Sequence, residues 1–162
     1  YVIARCFSFI GPHLPVDARF AIGNFIRDAL SAGPTTVSSA GSAVRSYLYA
    51  GDLVVWLLTM LANGEGRMAY NVGSDEAVTM AELASKVSAC VGNIGVQILG
   101  KPQEAPSEQY IPCLDRARKL IGLRVFTNHD ASIQKTVDWY SRLTTAMSAA
   151  NNSSPRADHC AR

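Results

Sequence analysis

Charge is scarce. Asp, Glu, Lys and Arg make up 17% of the 162 residues, and the formal net charge is only +2. So small an excess gives no argument for nucleic acid or a membrane surface as a partner. Long apolar runs are lacking too: the longest, residues 53–61 with Thr59 inside it, is too short to span a bilayer. The first residues lack the basic-then-apolar order of a secretory leader. The three histidines (His13, His129, His159) stand far apart, with no metal-ligand spacing. Cys6, Cys90, Cys113 and Cys160 are irregularly spaced, with no C-x-x-C. That argues against a zinc site or a disulfide framework and fits buried or incidental thiols in a reducing cytoplasm. An initiator methionine is also absent, and the first nine residues already read as a strand. The sequence therefore reads as a piece of a longer protein.

Hydrophobic residues make up 48% of the chain, enough for one domain with a real core. Residues 2–10 are nearly all apolar and end at Gly11-Pro12, as expected of a strand buried on both faces of a parallel sheet. Residues 20–32 predict a helix with Ile22, Phe25, Ile26, Ala29 and Leu30 on one face, stopped by Gly33-Pro34. Residues 35–37 fit a short strand, and 38–43 a loop of small residues. Asp52 fits the N-cap of a helix to about Asn63, apolar nearly all round and so expected to be buried. Gly64-Glu65-Gly66 then loosely spells a dinucleotide glycine pattern. It follows a helix and precedes a strand, the reverse of what that chemistry needs, so it reads as a turn.

A strand is expected at 69–73. Thr79-Met80-Ala81-Glu82 spells a capping box, opening a helix with Leu83, Ala84, Val87 and Val91 inward and Gly92 as its stop. A strand at 96–99, a polar loop with Pro102 and Pro106, a short helix at 114–121 ended by Gly122, and a last helix at 130–147 complete the pattern. Residues 148–162 read as a disordered tail.

The chain is organised around Arg45-Ser46-Tyr47-Leu48-Tyr49-Ala50-Gly51-Asp52. A cation leads a short strand, which ends on an acid that starts a helix. Arg45 follows a loop of small residues, where its planar fork can hold two oxygens of an anion. From the residues alone a surface arginine lying over an aromatic ring is the other reading. Asn71 falls on the next strand, near the same mouth.

These segments, in order across residues 2–145, resemble the C-terminal half of the extended short-chain dehydrogenases/reductases, the NAD-dependent nucleotide-sugar epimerases and dehydratases. Arg5 through Gly11-Pro12 resembles the family's Arg-x-x-Asn-x-x-Gly-Pro strand. Gly41 through Asp52 resembles its Gly-x-x-x-Arg-Asp segment, and Tyr70-Asn71-Val72-Gly73 its Tyr-Asn-(apolar)-Gly strand. Residues 110–122 resemble its Asp-x-x-Lys region before Leu-Gly. The resemblance implies an α/β fold: the C-terminal part of a Rossmann-type NAD(P)-binding protein, with its small mixed α/β substrate-binding domain spanning residues 1–147. It implies that Arg45 binds a nucleotide diphosphate, with Asn71 beside the phosphates or bracing Arg45. Asn24 would pack near phosphates and base, Thr36 and Ser38 would flank the base, and Tyr110 would lie at the outer edge. Ser8 stands where the family usually has Asn. Ser46 replaces the usual Asp, Lys101 the frequent Arg, and Cys113 a frequent Asp.

The family's glycine-rich cofactor loop has no counterpart here. No tyrosine of the chain is followed four residues on by Lys, so the family's Tyr-x-x-x-Lys pair has none either. The implied function is nucleotide-sugar binding within a cytoplasmic NAD-dependent epimerase or dehydratase, with NAD held mainly elsewhere, no catalytic residue in these segments, and a homo-oligomer as a possible assembly. The alternatives are a non-catalytic nucleotide-binding or sensor relative, and an unrelated α/β binding domain.

Overall fold

The computed structural model describes residues 1–16, 20–101 and 108–152, with side chains to residue 146. The first part of the chain forms β1 (Ile3–Cys6), β2 (Phe9–Ile10), α1 (Ala21–Leu30), β3 (Thr35–Val37), β4 (Val44–Arg45), β5 (Leu48–Tyr49) and α2 (Ala50–Asn63). Then follow β6 (Ala69–Val72), β7 (Val78–Thr79), α3 (Met80–Cys90), β8 (Val96–Ile98), β9 (Gln109–Tyr110), α4 (Asp115–Ile121) and α5 (His129–Asn152). The expected α/β class holds. The loop with Pro102 and Pro106 lies outside the described residues.

Pairing is mostly parallel between strands distant in sequence: β1 with β6, β2 with β5, and β3 with β8. β4 lies between β7, antiparallel, and β9, parallel. Two cores form. In one, Ile22, Phe25 and Ile26 of α1, Leu83 and Val87 of α3, and Ile133 and Val137 of α5 close over Val37 of β3. In the other, Trp56 and Met60 of α2 pack with Leu48, Tyr70, Val72, Leu114 and Ala117.

Several sequence expectations are met for the expected reasons. Thr79 Oγ1 accepts the Glu82 N–H at 3.1 Å while the Glu82 carboxylate accepts the Thr79 N–H at 2.9 Å, the reciprocal capping box. Gly122 ends α4 at φ 68°, a left-handed conformation that glycine adopts without a Cβ penalty. Gly11 is required by space, since a Cβ there would lie 2.6 Å from Ala50 Cβ at the start of α2. Gly64-Glu65-Gly66 is a connection between α2 and β6, as expected.

Four expectations need correction. Residues 2–9 do not form one strand buried on both faces. The chain changes neighbour at Ser8, with the Phe7 N–H bonded to Val72 O and Ser8 O accepting the Leu48 N–H. All four residues of β1 are exposed, because among the described residues β1 has a neighbour on one edge only. The helix from Ala50 is not buried all round. Only Asp52, Trp56 and Met60 are buried, and Val54, Val55, Leu57, Leu58 and Leu61 face outward. The last helix passes Met147 and reaches Asn152, so residues 148–152 are helical; 153–162 lie outside the described residues.

The fourth correction concerns Asp52. It does not cap α2, since Tyr49 holds the N-cap position with extended backbone and Asp52 sits inside the first turn. There its buried carboxylate accepts three hydrogen bonds from a segment more than seventy residues away: Phe126 N–H at 2.8 Å, Thr127 N–H at 2.9 Å and Thr127 Oγ1–H at 2.9 Å. The positive end of α2 favours the same charge. Asp52→Ala is expected to lower unfolding free energy by about 2–3 kcal/mol, because three half-buried donors are left without their charged acceptor. Asp52→Asn should recover part of that. Urea midpoints of the three proteins check the order.

Candidate functional site

Strand ends and two helix starts converge on a cavity of 480 Å³. Ser8 enters it from the β1–β2 junction, Arg45 from the end of β4, and Tyr47 from the link between β4 and β5. Phe20, Ala21 and Ile22 enter from the start of α1, and Met80 from the start of α3. No described side chain caps α1, and its first turn carries no acid, so its free N–H groups favour negative charge at this mouth. The start of α3 offers less, since its own capping box already uses those groups.

Arg45 is held in place. One guanidinium nitrogen donates to Val44 O at 2.9 Å and to Glu108 O at 3.1 Å, and the other meets the Glu108 carboxylate at 3.0 Å. Glu108 is 77% exposed while Arg45 is 23% exposed. The carboxylate therefore approaches from solvent, and an arriving anion can take its place at little cost. Tyr47 lies beside this guanidinium. Burial pushes its phenol up to about 12, and the Arg45 charge offsets that only in part. At neutral pH Tyr47 is a hydrogen-bond donor and not a base.

Asn24, Thr36 and Ser38 come together around a second cavity of 80 Å³, which shares Ala21 and Met80 with the first. Ser38 also lines a third cavity, of 330 Å³, with Lys101 and Glu108. The three cavities thus share lining residues, and Glu108 connects Arg45 to the cavity that Lys101 lines. Tyr110 stands at the rim. It pairs with Arg45 across β4–β9, and its ring packs on Phe7, which lines the first cavity, with centroids 4.8 Å apart.

Asn71 is not brought to this group. Its amide donates to Cys113 O at 2.9 Å, and it lines a separate cavity of 250 Å³ with Arg5, Cys113 and Arg116. Cys6 and Cys113 are exposed, Cys90 is half-buried, and all three are free thiols. Sequence reasoning missed Glu108, Phe20 and Met80 as site residues. Only Glu108 had a signal, a charge beside the strand that pairs with Arg45, and that pairing is not visible before folding.

The fold class is that of the Rossmann-type NAD-dependent epimerases and dehydratases. Over 89% of this chain it superposes on 47% of the UDP-glucose 4-epimerase of Thermotoga maritima, with a TM-score of 0.79 and 18% identity. Over 91% of the chain it superposes on 47% of the Bordetella bronchiseptica enzyme WbmF, solved with NAD+ and UDP, with a TM-score of 0.77 and 23% identity. Residues 1–73 match the model of the NAD dependent epimerase/dehydratase family. Two curated relatives, both UDP-glucuronic acid decarboxylases, are 28% identical over 141 residues (number 1 of Danio rerio) and 31% over 121 (number 2 of Arabidopsis thaliana). These cover 86% and 74% of this chain, but 33% and 27% of the relatives. The chain therefore spans about a third of the length of the curated relatives it matches. The matches support the NAD-dependent epimerase/dehydratase family for this chain, and its homologues include nucleotide-sugar decarboxylases.

The Tyr47 shift predicts an alkaline signature. A phenol whose folded value lies above its ordinary 10.0 gives stability that is whole below that pH and is lost as pH rises towards about 12. Across that interval wild type should lose on the order of 2 kcal/mol more than Tyr47→Phe. Denaturant unfolding of both proteins at stepped pH measures the difference.

Proposed function

We propose that this chain is the nucleotide-sugar-binding part of an NAD-dependent epimerase/dehydratase, with Arg45 as the diphosphate-binding residue. One observation carries it: a half-buried arginine, fixed by two carbonyls, at the mouth of a cavity whose other wall is an uncapped helix start. The diphosphate takes the place of the Glu108 carboxylate, and charge-assisted bonds from the fork offset its lost water. Asn24, Thr36 and Ser38 lie where a base and ribose would extend, and Ser8 and Tyr47 where the sugar would. Relatives that act on UDP-sugars support this ligand class.

NAD is the family's cofactor, and the glycine pair at Gly64 and Gly66 does not fit it. Gly64 follows the negative end of α2 in extended backbone, and a Cβ there would lie 2.3 Å from Met60 O. Close packing explains this glycine, and the turn leads into β6, not into a helix start that could receive a pyrophosphate. We place the dinucleotide site in the part of the relatives' length that this chain does not span. Hydride transfer and the catalytic tyrosine belong there in this reading.

Calorimetry tests the proposal with UDP-glucose, UDP-glucuronic acid and a dTDP-sugar. Arg45→Ala should weaken binding of the best ligand by roughly 2–5 kcal/mol, and Arg45→Lys should fall between wild type and Ala, keeping the charge but not the fork. Binding by Arg45→Ala within a factor of two of wild type would make Arg45 a surface arginine. In the same proteins NAD is expected to leave the melting temperature unchanged, since a ligand stabilises only a state that binds it. A dose-dependent rise would put a cofactor site in this chain.

A further inference from the structure

The strand expected to run unbroken from Arg45 to Tyr49 is interrupted at Ser46-Tyr47. There the amide that a strand would give to a neighbour goes to a side chain. Tyr47 N–H donates to His129 Nε2 at 3.2 Å, across 82 positions of sequence. His129 is 2% exposed and opens α5. Two contacts set its place. Asn128 Oδ1 accepts the Ala131 N–H, capping the helix, and the Glu76 carboxylate accepts the His129 N–H at 3.1 Å. With Nε2 accepting, the ring proton sits on Nδ1, which lies 3.7 Å from Glu76 Oε1. The Tyr47 and His129 rings also meet edge to face, 6.3 Å apart.

We propose that His129 is a positioning residue for the anion site: its neutral imidazole holds Tyr47, and through it Arg45, in binding geometry, and protonation or loss of the ring releases both. The inference rests on the nucleotide-sugar reading of Arg45. An imidazolium has no lone pair for the Tyr47 N–H, so the two states of the ring cannot hold the same backbone. The charged and titratable groups around it are known. Glu76 faces it from the turn after β6, Lys86 from α3, and Asp130 from α5 itself; Tyr47 and then Arg45 lie on the β4–β5 side. Lys86 is ion-paired with Asp130. Burial dominates and holds the imidazole below its ordinary 6.5, with Glu76 opposing. The neutral form is therefore the working form at neutral pH, and the hold is lost only as pH falls through the ring's own lowered midpoint.

The experiment has two arms on the 162-residue chain. In the first, UDP-glucose affinity is measured by calorimetry from about pH 8 down through the ring midpoint that the second arm reads. This probe is used because its diphosphate diester takes up no proton in the window. Wild type should lose about tenfold in affinity as pH falls. His129→Gln, which keeps an uncharged acceptor, should bind nearly as wild type does at high pH and show a flat profile. His129→Phe, which has no acceptor, should bind about tenfold more weakly at every pH. In the second arm, nitrogen-15 resonances of the His129 ring and the Tyr47 amide are followed through the same titration without ligand. Nε2 should carry the signature of an unprotonated ring nitrogen at high pH, and the Tyr47 amide should move with the ring's midpoint. A pH loss in His129→Gln equal to that of wild type, or a Tyr47 amide indifferent to the ring, overturns the role of His129. Absence of UDP-glucose binding by wild type at any pH overturns the nucleotide-sugar reading instead, and the second arm still decides whether the ring holds Tyr47.

Discussion

The buried carboxylate of Asp52 is the tie on which the rest of the arrangement depends. It sits in the first turn of α2, whose Trp56 and Met60 belong to one core, and takes its donors from Phe126 and Thr127, just before a helix that belongs to the other. A hydrophobic contact could join the two cores but would not fix their angle, because apolar packing has no direction. Three hydrogen bonds to one carboxylate do have direction. They set where α5 begins, and hence where His129 can reach. Trp56 supports the same joint by donating its indole N–H to Arg124 O at 2.9 Å.

From that joint the anion site is assembled by substitution. The ladder that holds Arg45 between β7 and β9 stops after two residues, and the Tyr47 amide finds an imidazole. Backbone groups inside a protein must find some partner. Using a side chain in place of a strand leaves the Arg45–Tyr47 segment free to bend towards the cavity instead of lying flat. The guanidinium gains the same way: it is fixed by the carbonyls of Val44 and Glu108 and not by a buried acid, so its charge is not cancelled inside the protein.

Local signals were legible in the sequence, and long-range ones were not. The capping box at Thr79, the stop at Gly122 and the apolar face of α1 are each decided within a few residues, and each is found as read. The burial of β1 and α2 was misjudged for a shared reason. An apolar run reports what a segment can bury, not whether a neighbour is there to cover it. Asp52 was misread because a cap and a first-turn acid look alike in sequence, while its partners lie seventy residues away. For the site, Arg45 and Ser8 line one cavity, and Asn24, Thr36 and Ser38 line a second that shares Ala21 and Met80 with it. Asn71 turns to Cys113 because β6 pairs with β1, which puts its side chain among Arg5 and Arg116. His129 carried no signal, since nothing in a lone histidine before a helix names the amide it will accept.

The pairing of β1 with β6 also sets a timetable. Ile3 meets Ala69, so the first strand waits for about 66 further residues before its partner exists. At typical synthesis rates of about 5–20 residues per second, that is roughly 3–13 seconds before β6 can join β1. The pair β3–β8 imposes a similar delay and β2–β5 a shorter one, whereas α3 and its cap can form as soon as they emerge. Parallel pairings of such long range close large loops before they yield stability, so they form late and slowly. The interval before β6 can join β1 is thus written into the register of a single strand pair.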